Sequence, residues 1–238
     1  MSLREGERFI KGEAVRRAGA VSPPAAVFLI HGWGVRAAAM GRLAAALAEA
    51  GYAVFNYDYP TSRRSIADHA AIFLDRYRRL LAEENPAGPI RFVTHSMGGI
   101  VLRAALAAMT EAECRAIDAI VMLGPPNGGS ALARPGRNRF VRAFNASLGD
   151  MVRGPESYLR RIPPPPWLPP VGIVAARFDG KVALRSTPLP NGMPCCLTMV
   201  SGTHPGLRDP RRTLAPILHF FRHHDFGSAA QPFPRLVN

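Results

Sequence analysis

Short apolar runs alternate with longer stretches in which apolar residues recur every three or four positions. Residues 25–30 (Ala25-Ala26-Val27-Phe28-Leu29-Ile30) form an uninterrupted apolar run, the pattern of a strand covered on both faces. Comparable runs lie at 52–57, 90–94, 119–123, 171–176 and 197–200. Between them, 37–50, 65–84 and 100–109 carry leucine, alanine and aromatic residues at helical spacing, and 212–221 repeats the pattern near the end. Gly51, Asn85-Pro86 and Gly88-Pro89 punctuate the helix exits. This alternation predicts an open, mostly parallel α/β sheet.

The interval 130–170 breaks the rhythm. It holds a weak helical stretch around Phe140–Leu148, then Pro155, Pro163 to Pro166, Pro169 and Pro170. Forty residues without a strand exceed an ordinary α/β connection. The chain is therefore expected to be a single domain over 1–238, with a small proline-rich cap or crossover insertion at 130–170.

Composition narrows the function classes. The 238 residues are 47% hydrophobic, which excludes wholesale disorder. Thirty basic residues face 17 acidic ones, for a net charge of +13, and only Lys11 and Lys181 are lysines. The arginines are scattered, with pairs such as Arg63-Arg64 and Arg160-Arg161 as the densest groups, and no nucleic-acid motif accompanies them. Nucleic acid is not an expected partner, whereas peripheral contact with an anionic lipid interface fits the charge. Three cysteines are too few for a disulfide scaffold. No transmembrane run or signal segment is present, so a cytoplasmic location is expected. No cofactor or metal is expected: glycine fingerprints, C-x-x-C spacings and carboxylate clusters are absent, and His223-His224 is an isolated pair.

The chemistry concentrates in Thr94-His95-Ser96-Met97-Gly98. It follows the 90–94 run and opens the next helix, the context in which a serine is presented on a sharp strand-to-helix turn. The alternative is a plain helix-capping serine. His31-Gly32-Trp33 ends the first strand, where the Trp33 amide, with that of Met97, can form an oxyanion hole. The Trp33 ring can also floor an acyl pocket. Among seven histidines, only His204 lies in a loop just beyond a late strand, within Ser201-Gly202-Thr203-His204-Pro205-Gly206. His31 and His95 flank the loop and the elbow, His69 is helical, and His219, His223 and His224 belong to the last helix and its exit. Asp179, after the 171–176 strand, completes the order Ser, Asp, His; Asp58, Asp150 and Asp209 are the other carboxylates considered.

These motifs resemble the α/β-hydrolase superfamily in its compact serine lipase/esterase branch, including triacylglycerol-lipase-like and GPI-inositol-deacylase-like members. The resemblance spans about 25–225 and rests on His31-Gly32-Trp33, on Thr94-His95-Ser96-Met97-Gly98-Gly99, on Leu123-Gly124-Pro125-Pro126-Asn127-Gly128-Gly129-Ser130, on Asp179-Gly180-Lys181-Val182 and on the His204 loop. Thr94 departs from it, standing where the elbow pattern has its first glycine. The resemblance implies a three-layer α/β/α fold, a Ser96–Asp179–His204 triad, and a substrate pocket that includes His31, Trp33 and Pro125. It also implies metal-free cleavage of carboxylic esters, lipid esters among them, through an acyl-enzyme; an acyltransferase or thioesterase would use the same triad. With only 24 residues before the first strand, a minimal sheet of about six strands is expected, without the superfamily's opening antiparallel hairpin.

Overall fold

The computed structural model describes residues 7–12, 24–86, 88–154 and 157–227. The strands are β1 (Arg8–Gly12), β2 (Ala26–Ile30), β3 (Ala53–Asp58), β4 (Ile90–His95), β5 (Ile117–Leu123), β6 (Val171–Ala176) and β7 (Cys196–Val200). They form one sheet in the order β1-β3-β2-β4-β5-β6-β7, parallel throughout except for β1, which runs antiparallel to β3. The α-helices are α1 (Gly41–Glu49), α2 (Ile66–Glu84), α3 (Met97–Leu106), α4 (Glu111–Arg115), α5 (Arg139–Phe144), α6 (Ala146–Asp150), α7 (Tyr158–Arg161) and α8 (Pro210–His223).

The sheet therefore has one strand more than the six expected. β1 (Arg8-Phe9-Ile10-Lys11-Gly12) is an edge strand, exposed or half-buried at every position, with no apolar run. Phe9 anchors it by packing edge-on against Phe28 and Phe73 and beside Tyr57. A short edge strand held by one half-buried ring contains no buried run, so it is invisible to a search for such runs.

Central β2 is buried at every position, as its sequence requires. One face of the sheet packs on α2 and α3 through an aromatic cluster that includes Phe28, Phe73, Tyr77 and Phe92. The other face packs on α1 and α8 through Leu43, Leu47, Ile217 and Phe220. Full burial of one such side chain contributes about 1.5–3 kcal/mol. Ser65 caps α2 in a reciprocal capping box with Asp68. Among the described residues no helix is long and apolar enough to cross a membrane.

Residues 130–170, the segment expected as an insertion, hold a 3₁₀ turn at Ala131–Arg137 and then α5, α6 and α7, with residues 155 and 156 outside the described set. The segment is tied to the body by a buried arginine. Arg103 on α3 donates from Nη1 to Asn127 Oδ1 (3.0 Å) and from Nη2 to the Leu159 carbonyl (3.1 Å). Asn127 Nδ2 in turn donates to the Thr187 carbonyl at 2.7 Å. Burial lowers the Arg103 pKa to about 10.

Candidate active site

Strand β4 ends at His95 and α3 begins at Met97, which leaves Ser96 alone at the turn. Its φ of 54° and ψ of −125° place a non-glycine residue in a costly left-handed region. Two glycines make the turn possible. A β-carbon on Gly98 would lie 2.3 Å from the Ile30 carbonyl oxygen, and one on Gly32 would lie 2.9 Å from Ser96 Cβ. Gly98 thus lets α3 press onto the end of β2, and Gly32 lets the following loop lie against the elbow. Thr94 is accommodated by the second glycine after the serine, because a β-carbon on Gly99 would sit 3.2 Å from Thr94 Oγ1.

His204 follows β7 and Asp179 follows β6; these strands are neighbours in the sheet, so their exits lie side by side. His204 Nδ1 is 2.7 Å from Asp179 Oδ2. The other carboxylate oxygen accepts the backbone amides of Lys181 and Val182, each at 2.8 Å. Burial alone would raise the Asp179 pKa, but the His204 hydrogen bond and the two amides outweigh it and hold the carboxyl below its ordinary value. The acid is an anion near neutral pH, so the imidazole N–H is the donor. That leaves His204 Nε2 free to accept a proton.

Ser96, His95 and His204 line one cavity of about 110 Å³. Trp33 and Val35 form part of its wall, Pro126 borders it, and the insertion contributes Ser130, Leu132, Ala133, Leu148 and Met151. Lys181 and Arg208 also line it. Met97 is the first residue of α3, so its amide has no intrahelical acceptor and sits at the positive end of the helix.

His31 and Pro125 stand apart from that lining. His31 is fully buried, with Nδ1 3.0 Å from the Gly32 carbonyl oxygen and its ring stacked on Tyr59 at 4.4 Å. Tyr59 Oη donates to the His31 carbonyl at 2.8 Å. Burial lowers the His31 pKa to about 4, so the ring is neutral and braces the loop. Thr61 Oγ1 accepts the Gly34 amide at 2.9 Å, and Asp58 Oδ1 accepts that of Ala37 at 2.9 Å. The loop bearing Trp33 is pinned along its length. Pro125 faces Gly99 instead, where a β-carbon would meet its ring at 3.2 Å, and Pro126 takes the cavity position.

Sequence reasoning passed over other participants. His95 is buried beside the elbow, with Nε2 3.1 Å from the His204 carbonyl oxygen. Its pKa is lowered to about 3, first by burial and then by the neighbouring His204. Beyond Ser130, which closes the Leu123–Ser130 motif, the cavity residues of the insertion carry no motif; their only signal is apolar character in an otherwise polar, proline-rich stretch. His223-His224 is not the isolated pair expected, because His219 precedes His223 in an H-x-x-x-H spacing on α8: the rings of His219 and His223 lie 4.6 Å apart, and His219 Nε2 lies 3.3 Å from Asp225 Oδ1. Among the described residues no group of three or more His, Cys, Asp or Glu could hold a metal ion.

A sequence model of the Alpha/beta hydrolase family matches residues 27–236. No curated protein matches the chain. Among solved structures, the chain is similar to the mature form of Bacillus licheniformis lipase BlEst2, with a TM-score of 0.72 and 16% identity over 90% of this chain and 97% of that one. It is similar also to the esterase RhEst1 from Rhodococcus sp. ECU1013, with a TM-score of 0.58 and 17% identity over 84% and 91% of the two chains. A third similar structure is YbtT, a type II thioesterase of the yersiniabactin pathway, with a TM-score of 0.63 and 17% identity over 91% and 99%. At these identities the likeness is one of fold.

Proposed function

Because the chain belongs to the alpha/beta hydrolase family, we propose that it is a metal-independent serine hydrolase that cleaves carboxylic esters through an acyl-enzyme on Ser96. One observation carries this reading: a serine at positive φ shares a cavity with a histidine whose far nitrogen is held 2.7 Å from a buried carboxylate.

In this mechanism Ser96 Oγ attacks the acyl carbon and His204 Nε2 takes its proton. The Trp33 and Met97 amides hold the developing oxyanion, where loss of one donor costs about 2.7–4 kcal/mol in the transition state. Asp179 fixes the imidazole tautomer and stabilises the imidazolium. His204 then protonates the departing alcohol, and water enters by the same route to release the acid.

The insertion acts as a cap, since Leu132, Ala133, Leu148 and Met151 from it line the cavity and suit an acyl chain. Exposed Phe140 and Phe144 on α5, with Arg139 beside them, suit contact with an anionic lipid interface. Three free cysteines suit a reducing cytoplasm. The likeness in fold to a type II thioesterase keeps a thioester substrate as the second reading.

A panel of p-nitrophenyl esters of rising acyl length, with Ser96→Ala and with a chelator, tests the proposal. Turnover of short esters, near-complete loss in the variant and no chelator effect are expected. Full activity in Ser96→Ala overturns the mechanism.

A further inference from the structure

The cavity is lined by the apolar side chains Leu132, Ala133, Leu148 and Met151 of the insertion and by two cationic residues from the loops after β6 and β7. Lys181 lies two residues after Asp179, and Arg208 four residues after His204. Both therefore belong to the loops that deliver the acid and the base. The nearest carboxylates in sequence are already engaged. Asp179 gives one oxygen to His204 and the other to the Lys181 and Val182 amides. Asp209 is held by Arg211 at 2.7 Å and faces Arg42 at 3.8 Å. Arg208 spends its Nε on the Pro205 carbonyl at 3.2 Å, and neither cation has an ion-pair partner among the described residues.

Arg208 is half-buried, and desolvation lowers its pKa with no carboxylate to offset the cost. A cation left in that state beside a reaction cavity is compensated when an anion arrives. Its position decides which part of the substrate carries that anion. His204 delivers its proton to the leaving atom, so groups flanking His204 border the leaving alcohol or thiol, while the apolar wall borders the acyl chain.

We propose, building on the hydrolase reading above, that the substrate's leaving alcohol or thiol carries a phosphate group, seated between Lys181 and Arg208. Two cations on separate loops match the several oxygens of a phosphate better than a single carboxylate. In the reaction the bond between Ser96 Oγ and the acyl carbon forms and the bond from that carbon to the leaving oxygen or sulfur breaks. The serine proton passes through His204 to the leaving atom, and the phosphate departs unchanged on the product.

Short-chain probes keep the substrates monomeric and remove any lipid surface. Hexanoylglycerol 3-phosphate is compared with hexanoylglycerol, and the hexanoyl thioester of phosphopantetheine with that of pantetheine. Binding is measured on Ser96→Ala protein and turnover on the unsubstituted enzyme. The phosphorylated member should bind about tenfold or more tightly at low salt, with the ratio shrinking as salt rises. In Lys181→Met/Arg208→Met on the Ser96→Ala background the ratio should fall toward one, and Arg208→Lys should retain part of it. Equal affinity within both pairs, or a ratio indifferent to the double substitution, overturns the proposal. A preference confined to one pair identifies the source, a glycerophosphate ester or a phosphopantetheine thioester. If the enzyme turns over none of the probes and no p-nitrophenyl ester, the hydrolase reading fails, and the binding ratio still decides for or against the phosphate site.

Discussion

His95 Nε2 lies 3.1 Å from the backbone carbonyl oxygen of His204, with the two rings 4.8 Å apart. The residue immediately before Ser96 thus holds the loop that carries the partner histidine. With its pKa lowered to about 3 the His95 ring is neutral at working pH, and the Nε2–H donates to that carbonyl. His95→Phe keeps the volume and removes the donor, so kcat for a neutral ester should fall about tenfold or more with KM within about twofold. His95→Gln, which restores an amide donor, should recover most of the loss. A rise in KM at constant kcat would instead make His95 a simple wall of the cavity.

The conformation of Ser96 stores strain that a glycine would not feel. Ser96→Gly should abolish activity yet stabilise the fold by about 1–3 kcal/mol, the usual cost of a non-glycine residue in such a region. In a chain of this size each kcal/mol raises Tm by about 2–4 °C. A thermal melt that shows no gain, or a loss, would mean the turn is not strained.

Acid should begin to destabilise the protein before Asp179 titrates. Burial lowers His31 and His69 to about 4, and His95 lies near 3. Each stays neutral in the folded chain while its unfolded counterpart protonates near 6.5. Stability is therefore full above about pH 6.5 and declines as pH falls toward 4, by up to about 1.4 kcal/mol per pH unit per histidine. Asp179 acts lower down: its depressed pKa contributes stability above about 3.9 that disappears as pH falls through its folded value. Urea melts between pH 7 and 4.5 measure the first window. His69→Phe, which replaces a fully buried ring whose nitrogens have no hydrogen-bond partner, should reduce the slope by about one third. An unchanged slope would show that His69 does not contribute.

Shortening the insertion between residues 131 and 150 should change chain-length preference along an ester panel, since Leu132, Ala133 and Leu148 leave the cavity wall. The shift should be toward less discrimination, with long and short chains turned over at more nearly equal kcat/KM. Identical preference before and after would remove the insertion from substrate selection.

Much of this arrangement is legible in the chain because the central strands are continuous apolar runs and the reactive groups sit where those runs stop. Asp179 and His204 could be paired from sequence since each follows a late strand, and β6 and β7 are adjacent. Other features escaped for physical reasons. β1 is half exposed, so period and burial give little signal. The start of α3 at Met97 precedes the apolar stretch from Ile100, because Gly98 and Gly99 are poor helix formers whose place is dictated by contacts with Ile30, Thr94 and Pro125. His31 and His95 look like any other histidines until burial reveals them as neutral braces. Pro125 and Pro126 differ by one position, and only the direction of the turn decides which one reaches the cavity.

The buried guanidinium of Arg103 sets a rule for exchanging the insertion with that of another hydrolase. Its contact beyond Asn127 is the carbonyl of Leu159, a main-chain atom that any residue could supply. A transplanted segment can therefore differ in every side chain at that point and still be accepted, provided its backbone arrives there with an oxygen turned inward. One that arrives with an amide, or half a turn out of phase, would leave a buried cation without that acceptor, at a cost of about 1.5–3 kcal/mol for a lost hydrogen bond to a charged group. Compatibility of grafted caps would then follow backbone phase at position 159 rather than sequence similarity.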